Sequence, residues 1–379
     1  MKPPVLLQPA TLAVFVAATG ATPALSHHGT GLFAVDVDVE YVGVLTEMEF
    51  VNPHSYMHFD TTDANGQPIT MRCEMRASML LRRSGWSLDM FVPGSRVVIQ
   101  GHPHRRDPQA CYLESFTLGE AGEIDRDDQF TTSTPVDTSQ RPLRLASGEP
   151  NISGDWAVEQ AVLTAPPEGG RGAMIPKSLR EDFAAGRITL EEVRARNPSP
   201  RPVHTALGRQ EAEAFEMWSV EDNPRLSCKP TSILYDWTFD WPVNRITQNT
   251  TDEGERVIDI DYGLYNFYRR IHLDMETHPD NLTPSYAGHS IGSWQGDTLV
   301  VDSVGFTAGV LAPPTLNSEQ LHIVERFTLD PDTMALHREY SATDPVYLAE
   351  PYVGSDTVFL SETPFMMEGC TELTPEFIE

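Results

Sequence analysis

Short runs in which apolar and polar residues alternate, each stopped by Gly, Pro, Asn or Asp, recur along most of this chain and constrain its fold more than any other feature. Alternate residues of a strand face opposite sides, so each run presents an apolar face that a closed or stacked sheet must hide. In the first third, strands are expected over residues 41–50, 55–61, 68–73, 95–101 and 111–118. A short helix over 77–83, stopped by Gly85, falls between the third and the fourth. The order β-β-β-α-β-β predicts a five-stranded OB-like barrel over residues 27–118.

Alternation fades over 119–151, where Gly, Asp, Glu, Thr, Ser and Pro collect, including Glu123-Ile124-Asp125-Arg126-Asp127-Asp128. This is expected to be an acidic linker. Residues 152–379 form the second domain, with a helical insertion at about 177–222 carrying helices over 178–196 and 209–218. Strands are then expected over 245–251, 256–263, 267–273, 298–304, 321–329 and 335–342. Gly154-Asp155-Trp156 opens this region in the manner of the Gly-x-Trp strand of lipocalins, so the expectation is a larger lipocalin-like antiparallel β-barrel. The chain as a whole is expected to be mostly β.

Lys2, an apolar stretch over 11–18 and the small-residue exit Ala24-Leu25-Ser26 read as a signal peptide over residues 1–26, which predicts a periplasmic or secreted protein. No later stretch has the roughly 18 apolar residues of a membrane helix, so no transmembrane segment is expected. In an oxidising compartment the four cysteines suggest two disulfides, most simply Cys73 with Cys111 and Cys228 with Cys370, each within one domain. No C-x-x-C spacing supports a thiolate metal site. The 55 acids against 27 Lys and Arg, a net charge of −28, argue against nucleic acid as a partner even for an OB-like barrel.

His27-His28, Val51-Asn52-Pro53-His54-Ser55, Gly85-Trp86, and Pro93-Gly94 ahead of Val97-Val98-Ile99-Gln100-Gly101 together resemble the exported bacterial domains catalogued as DUF6152, of unknown function. In the second half, Asp222-Asn223-Pro224, Arg270-Ile271, Gly288-His289-Ser290-Ile291-Gly292 and the stretch from Trp294 to Asp302 resemble the long uncharacterised proteins that carry this domain. The resemblance implies relatives and no reaction.

Two candidate sites follow from the residues. Cleavage after Ser26 would start the mature chain at His27, whose amine and imidazole can chelate one ion, with His54 or His28 completing a set of the kind copper favours. The competing reading is a disordered terminus or an arm along the barrel edge, with His54 bonded to backbone. In the second domain, strand phase puts Arg269 with Phe267, Ile271 and Leu273, and Glu325 with Leu321, Ile323, Phe327 and Leu329. If those faces point inward, Glu325 is a candidate general acid/base and Arg269 an orienting cation, with Asp302 and His289 as candidates for a second proton-transfer group. The alternative is a structural Arg269–Glu325 ion pair. The leading functional expectation is a periplasmic binding protein, with copper at the N-terminus and a small apolar or carboxylate ligand in the second barrel. An isomerase, hydratase or lyase acting in that barrel, and a docking module that binds a protein partner through the N-terminal domain, are the alternatives.

Overall fold

The computed structural model describes residues 33–367 and Cys370, apart from positions 35, 53, 64, 121, 127, 129, 131–135, 169–172, 197–199, 218 and 240–241. Among the described residues, the strands close into two barrels, with two short ladders outside them. The first contains β1 (Val39–Glu49), β2 (Tyr56–Thr62), β3 (Pro68–Glu74), α1 (Ser78–Arg83), β4 (Arg96–Pro103) and β5 (Ala110–Leu118). Its strands follow the order β3-β2-β1-β4-β5, and a parallel β3–β5 pairing closes the ring, which is the OB arrangement expected from the sequence. Cys73 and Cys111 sit directly opposite each other at that closure and are disulfide-bonded. Leu45, Met57, Phe59, Met71, Met75, Val97, Ile99 and Leu113 alternate inward to fill it.

The acidic connection packs against the barrel it leaves. Its β6 (Ile124–Asp125) adds to the edge of β5, the Asp128 carbonyl accepts from Trp86 Nε1 at 3.0 Å, and Phe130 meets Trp86 edge-on at 4.9 Å. Composition had marked this segment as a linker because its side chains are polar; its backbone nevertheless finds strand and indole partners.

The larger barrel is closed by nine strands. In chain order these are β7 (Gly154–Ala157), β10 (Asn244–Thr250), β11 (Arg256–Asp261), β12 (Tyr268–His272), β13 (His289–Gln295), β14 (Thr298–Val304), β17 (His322–Leu329), β18 (Ala335–Thr343) and β19 (Tyr352–Leu360). Neighbours are antiparallel throughout except β12 and β13, which are parallel. Two hairpin ladders lie outside the ring, β8 (Ala161–Thr164) with β9 (Ala173–Pro176), and β15 (Gly309–Ala312) with β16 (Thr315–Asn317). The insertion supplies α2 (Arg180–Ala184), α3 (Leu190–Arg196) and α4 (Ala206–Ala214). α4 starts earlier than expected because Thr205 caps it, its hydroxyl accepting from Gly208 N at 3.0 Å, and it ends earlier where Phe215 turns extended.

The Gly154-Asp155-Trp156 triplet closes the seam of the larger barrel. Gly154 takes a φ of +145°, Asp155 faces Arg245, and Trp156 turns inward, fully buried, with its indole N–H donating to the Ile152 carbonyl at 2.8 Å. The interior is filled. Ile233, Leu234 and Trp237, from the segment ahead of β10, enter the same core as Trp156, Ile258, Tyr262, Ile271, Ile323 and Phe327.

Candidate functional site

Arg269 and Glu325 both lie inside the larger barrel, at 1% and 0% exposure, with Arg269 Nη2 2.5 Å from Glu325 Oε2. Their neighbours give the pair its character. Glu325 Oε1 accepts from Arg338 Nη1 at 3.2 Å, and Arg338 also forks onto Asp356, Nη2 to Oδ2 being 2.5 Å. Arg338 donates further to the Ile233 and Leu234 carbonyls at 3.2 and 3.1 Å. Arg269 donates from Nε to Ser290 Oγ at 3.0 Å and from Nη2 to Ser303 Oγ at 2.9 Å. Two cations and two carboxylates therefore offset one another, and the hydroxyls and carbonyls take up most of the remaining donors. Glu325 stands between two guanidinium groups.

Asp302 and His289 are not in that network. They occupy the outward positions next to Ser303 and Ser290, so strand alternation sends each serine inside to Arg269 and each neighbouring residue outside. Gly288 makes the entry to β13 possible. Its φ is +62°, and a Cβ there would lie 2.7 Å from the Val304 carbonyl oxygen.

On the outer wall, Asp302 accepts from His278 Nε2 and from His322 Nε2, both at 2.9 Å. His278 Nδ1 lies 2.8 Å from His289 Nδ1, so one of these nitrogens donates to the other. His289 stacks on His272 at 5.0 Å, and His272 Nδ1 reaches Glu255 Oε1 at 2.5 Å. Partial burial works against ionisation of Asp302, but the His322 and His278 hydrogen bonds outweigh it and hold the carboxyl below its usual range. Burial, then the neighbouring His272 and His278, push His289 down. His278 and His322 were not expected from the sequence, where nothing ties them to Asp302.

The N-terminal candidates separate. His27 and His28 lie outside the described residues. His54 Nδ1 meets Glu74 Oε1 at 2.9 Å. Nearby, Phe33 is buried at 3% exposure and packs edge-on to His104, while Ala34 N donates to the Pro103 carbonyl at 2.9 Å; the rest of the expected arm, residues 27–32, lies outside the described residues. Met48, Met57 and Met75 belong to the barrel core. Cys228 is bonded to Cys370, and the backbone of Cys370 bridges to Asn52 of the first barrel.

A cleft of about 1090 Å³ opens beside β18 and β19, between the barrel and the insertion. Tyr235, Phe239, Tyr340 and Tyr352 supply its aromatic surface, Leu179 and Val193 come from the insertion, and Asp356 lies among its lining residues. The Tyr235 and Phe239 rings stack at 4.4 Å, and the Arg225 guanidinium lies 4.5 Å from the centre of the Phe239 ring. Burial pushes the Asp356 carboxyl up, with Arg338 opposing. Arg269, Glu325, Asp302 and His289 are not among the lining residues. Asp356 is the link between cleft and buried network, and neither it nor Arg338 was singled out from the sequence. The phase rule that placed Glu325 inward would have placed Arg338 on the face of Leu336 and Ala342.

Residues 15–111 match the model of DUF6152, a family of unknown function. The match runs through the OB-like barrel to Cys111 near the start of β5. No curated protein and no solved structure matches this chain. Among the described residues, no helix is long and apolar enough to cross a membrane.

Proposed function

We propose that this is an exported binding protein that holds a small, mainly apolar molecule with one polar head in the cleft beside β18 and β19. The cleft itself carries the reading. Its volume of about 1090 Å³ is at the upper end of ligand sites, and its walls combine aromatic and aliphatic side chains with polar ones that include Glu159, Arg196, His204 and Asp356. The Tyr340 and Tyr352 hydroxyls and the Asp356 carboxylate suit a hydroxyl or amine head. The Arg338 fork is already engaged by Asp356 and Glu325, so a ligand carboxylate would have to meet Arg196 on the cleft wall instead. The leader over residues 1–26 and the two disulfides support an extracytoplasmic address.

An enzyme working through Glu325 is less well supported. A general acid/base must reach the substrate, and both Glu325 oxygens face guanidinium groups in a filled core.

The test is binding by the full chain. Protein exported in its own host is denatured and its organic content read by mass spectrometry, and an apolar environment-sensitive dye is titrated into the emptied protein. We expect one dye per chain, displaced by the recovered compound. Phe239→Ala and Tyr352→Ala should each weaken it about tenfold, as for loss of roughly 1.4 kcal/mol of aromatic burial. Unchanged dye affinity in both variants, with the fold intact, would remove the cleft as the binding site.

A further inference from the structure

The smaller barrel carries a cluster that the cleft reading does not use. Asp38, just ahead of β1, His102, near the end of β4, and Glu114, on β5, meet on its outer surface. Strand pairing brings them together. Val39 pairs with Gly101, which sets Asp38 alongside His102 one step further on. On the other side of β4, Gln100 faces Ser115 and Gly101 faces Leu113, so Glu114 is the extra residue of a β-bulge. A bulge re-aims a side chain, and this one turns Glu114 out of the barrel and towards His102.

We infer that a ring nitrogen of His102 and one oxygen each of Asp38 and Glu114 form a binding site for a divalent transition-metal cation of the zinc or manganese class. One ligand atom from each residue lies within 4.8 Å of the other two, near enough for a single ion to draw them onto bonds of about 2.0–2.2 Å. His102 is the fixed member, its side chain 13% exposed and its ring nearly parallel to that of Tyr112. Its Nδ1 lies 3.1 Å from the Val37 carbonyl, and a carbonyl can only accept, so Nδ1 carries the proton and Nε2 keeps the lone pair. Ligating imidazoles are held in this way, the second N–H donated to a fixed oxygen. Nε2 is 3.8 Å from Glu114 Oε2. The carboxylates are the adjustable members, Asp38 being 85% and Glu114 58% exposed.

The charge balance calls for a cation. Neither Asp38 nor Glu114 pairs with an Arg or Lys among the described residues, and His102 is the partner of both. Two carboxylates converging on one imidazole repel each other until a positive charge joins them. Beside them a trough of about 580 Å³ is lined by Glu123, Asp125 and Asp128 as well as by Asp38 and Glu114. A concave surface of one sign raises the local concentration of counter-ions. The imidazole selects the class of ion, since calcium and magnesium take sets of oxygens whereas imidazole suits zinc and its neighbours and carboxylate also suits manganese.

The test is calorimetric titration of the full chain with zinc and with manganese, in a His27→Gln, His28→Gln background so that the terminal imidazoles do not contribute. We expect one zinc per chain at micromolar concentration, manganese at the same site more weakly, and no displacement by excess calcium. His102→Gln and Glu114→Gln should each weaken zinc about a hundredfold, since even the outer partners of a metal site are worth roughly ten- to a hundredfold. Asp38→Asn should weaken it comparably, and at so exposed a position it answers the question if either of the others does not fold. His104→Gln, on the same hairpin but with Nδ1 engaged by Arg106 N and Asp107 N, should leave zinc affinity unchanged. No zinc uptake by the background chain at these concentrations, undiminished uptake in Asp38→Asn, or displacement by calcium overturns the site.

Discussion

Glu325 is the residue whose role depends most on its partners. With Arg269 on one oxygen and Arg338 on the other, its removal leaves two guanidinium groups buried with Asp356 as the remaining counter-charge. Breaking a buried charge network from one side costs about 3–5 kcal/mol, because the desolvated partner stays behind. Glu325→Gln is therefore expected to lower the urea midpoint by an amount of that order while leaving dye binding in the cleft nearly intact. A variant with wild-type stability would instead return the residue to a functional role. Arg269 and Glu325 were legible as inward charges because each interrupts an apolar phase. Their full partnership was not. Ser290 and Ser303 look like ordinary strand residues, and Asp356 lies on a strand whose inward face, with Tyr352, Gly354 and Val358, carries too little apolar content to announce itself. His278 is legible only in three dimensions, since a crossover over a sheet has no period in sequence.

At the scale of elements, six of the nine strands of the larger barrel follow the expected alternation. β7, β13 and β19 were not among the expected strands, for separate reasons: β7 is four residues long, β13 includes Gly292, and the middle of β19, Gly354-Ser355-Asp356-Thr357, lacks apolar residues. β7 is the seam, and it is held partly by charge. Asp155 accepts from Arg245 Nε and Nη2 at 2.7 and 3.0 Å and from Phe365 N at 2.8 Å. Partial burial pushes the pKa of this carboxyl up, but the Arg245 and Phe365 hydrogen bonds outweigh it and leave it below the usual range. A carboxylate depressed in the folded state contributes stability that is present above its unfolded pKa, near 3.9, and is lost as pH falls through the lower folded value. Asp155→Asn should cost about 1–2 kcal/mol at neutral pH. Its stability should also fall less steeply than the wild type's below about pH 4. Urea unfolding at stepped pH measures both; parallel acid limbs would mean that the seam does not depend on this ion pair. Trp156→Ala at the same seam should cost about 3–5 kcal/mol through the cavity it leaves.

At the scale of the molecule, the sequence divides into two barrels, but the contacts between them join across α1 and the tail. Arg83 Nη2 donates to the Val158 carbonyl at 2.8 Å, Gln160 Nε2 donates to Ser84 Oγ at 3.0 Å, and the Cβ position of Gly263 lies 3.1 Å from Met79 Cε. Cys370 adds a covalent element, since it is bonded to Cys228 of the larger domain while its backbone bridges to Asn52 of the smaller. That cross-link spans 142 residues, including β10 to β19, and on the chain-entropy account is worth roughly 5 kcal/mol to the larger barrel. Removing it by Cys228→Ser with Cys370→Ser should weaken the larger barrel directly and loosen the tail that touches the smaller. In the oxidised wild type, hydrogen exchange in rising denaturant is expected to release the strands of both barrels together. In the double variant β10 to β19 should open at lower denaturant, while β1 to β5, with Cys73–Cys111 intact, should stay protected. If both barrels still open together, the α1 contact alone couples them and the tail is not the clamp.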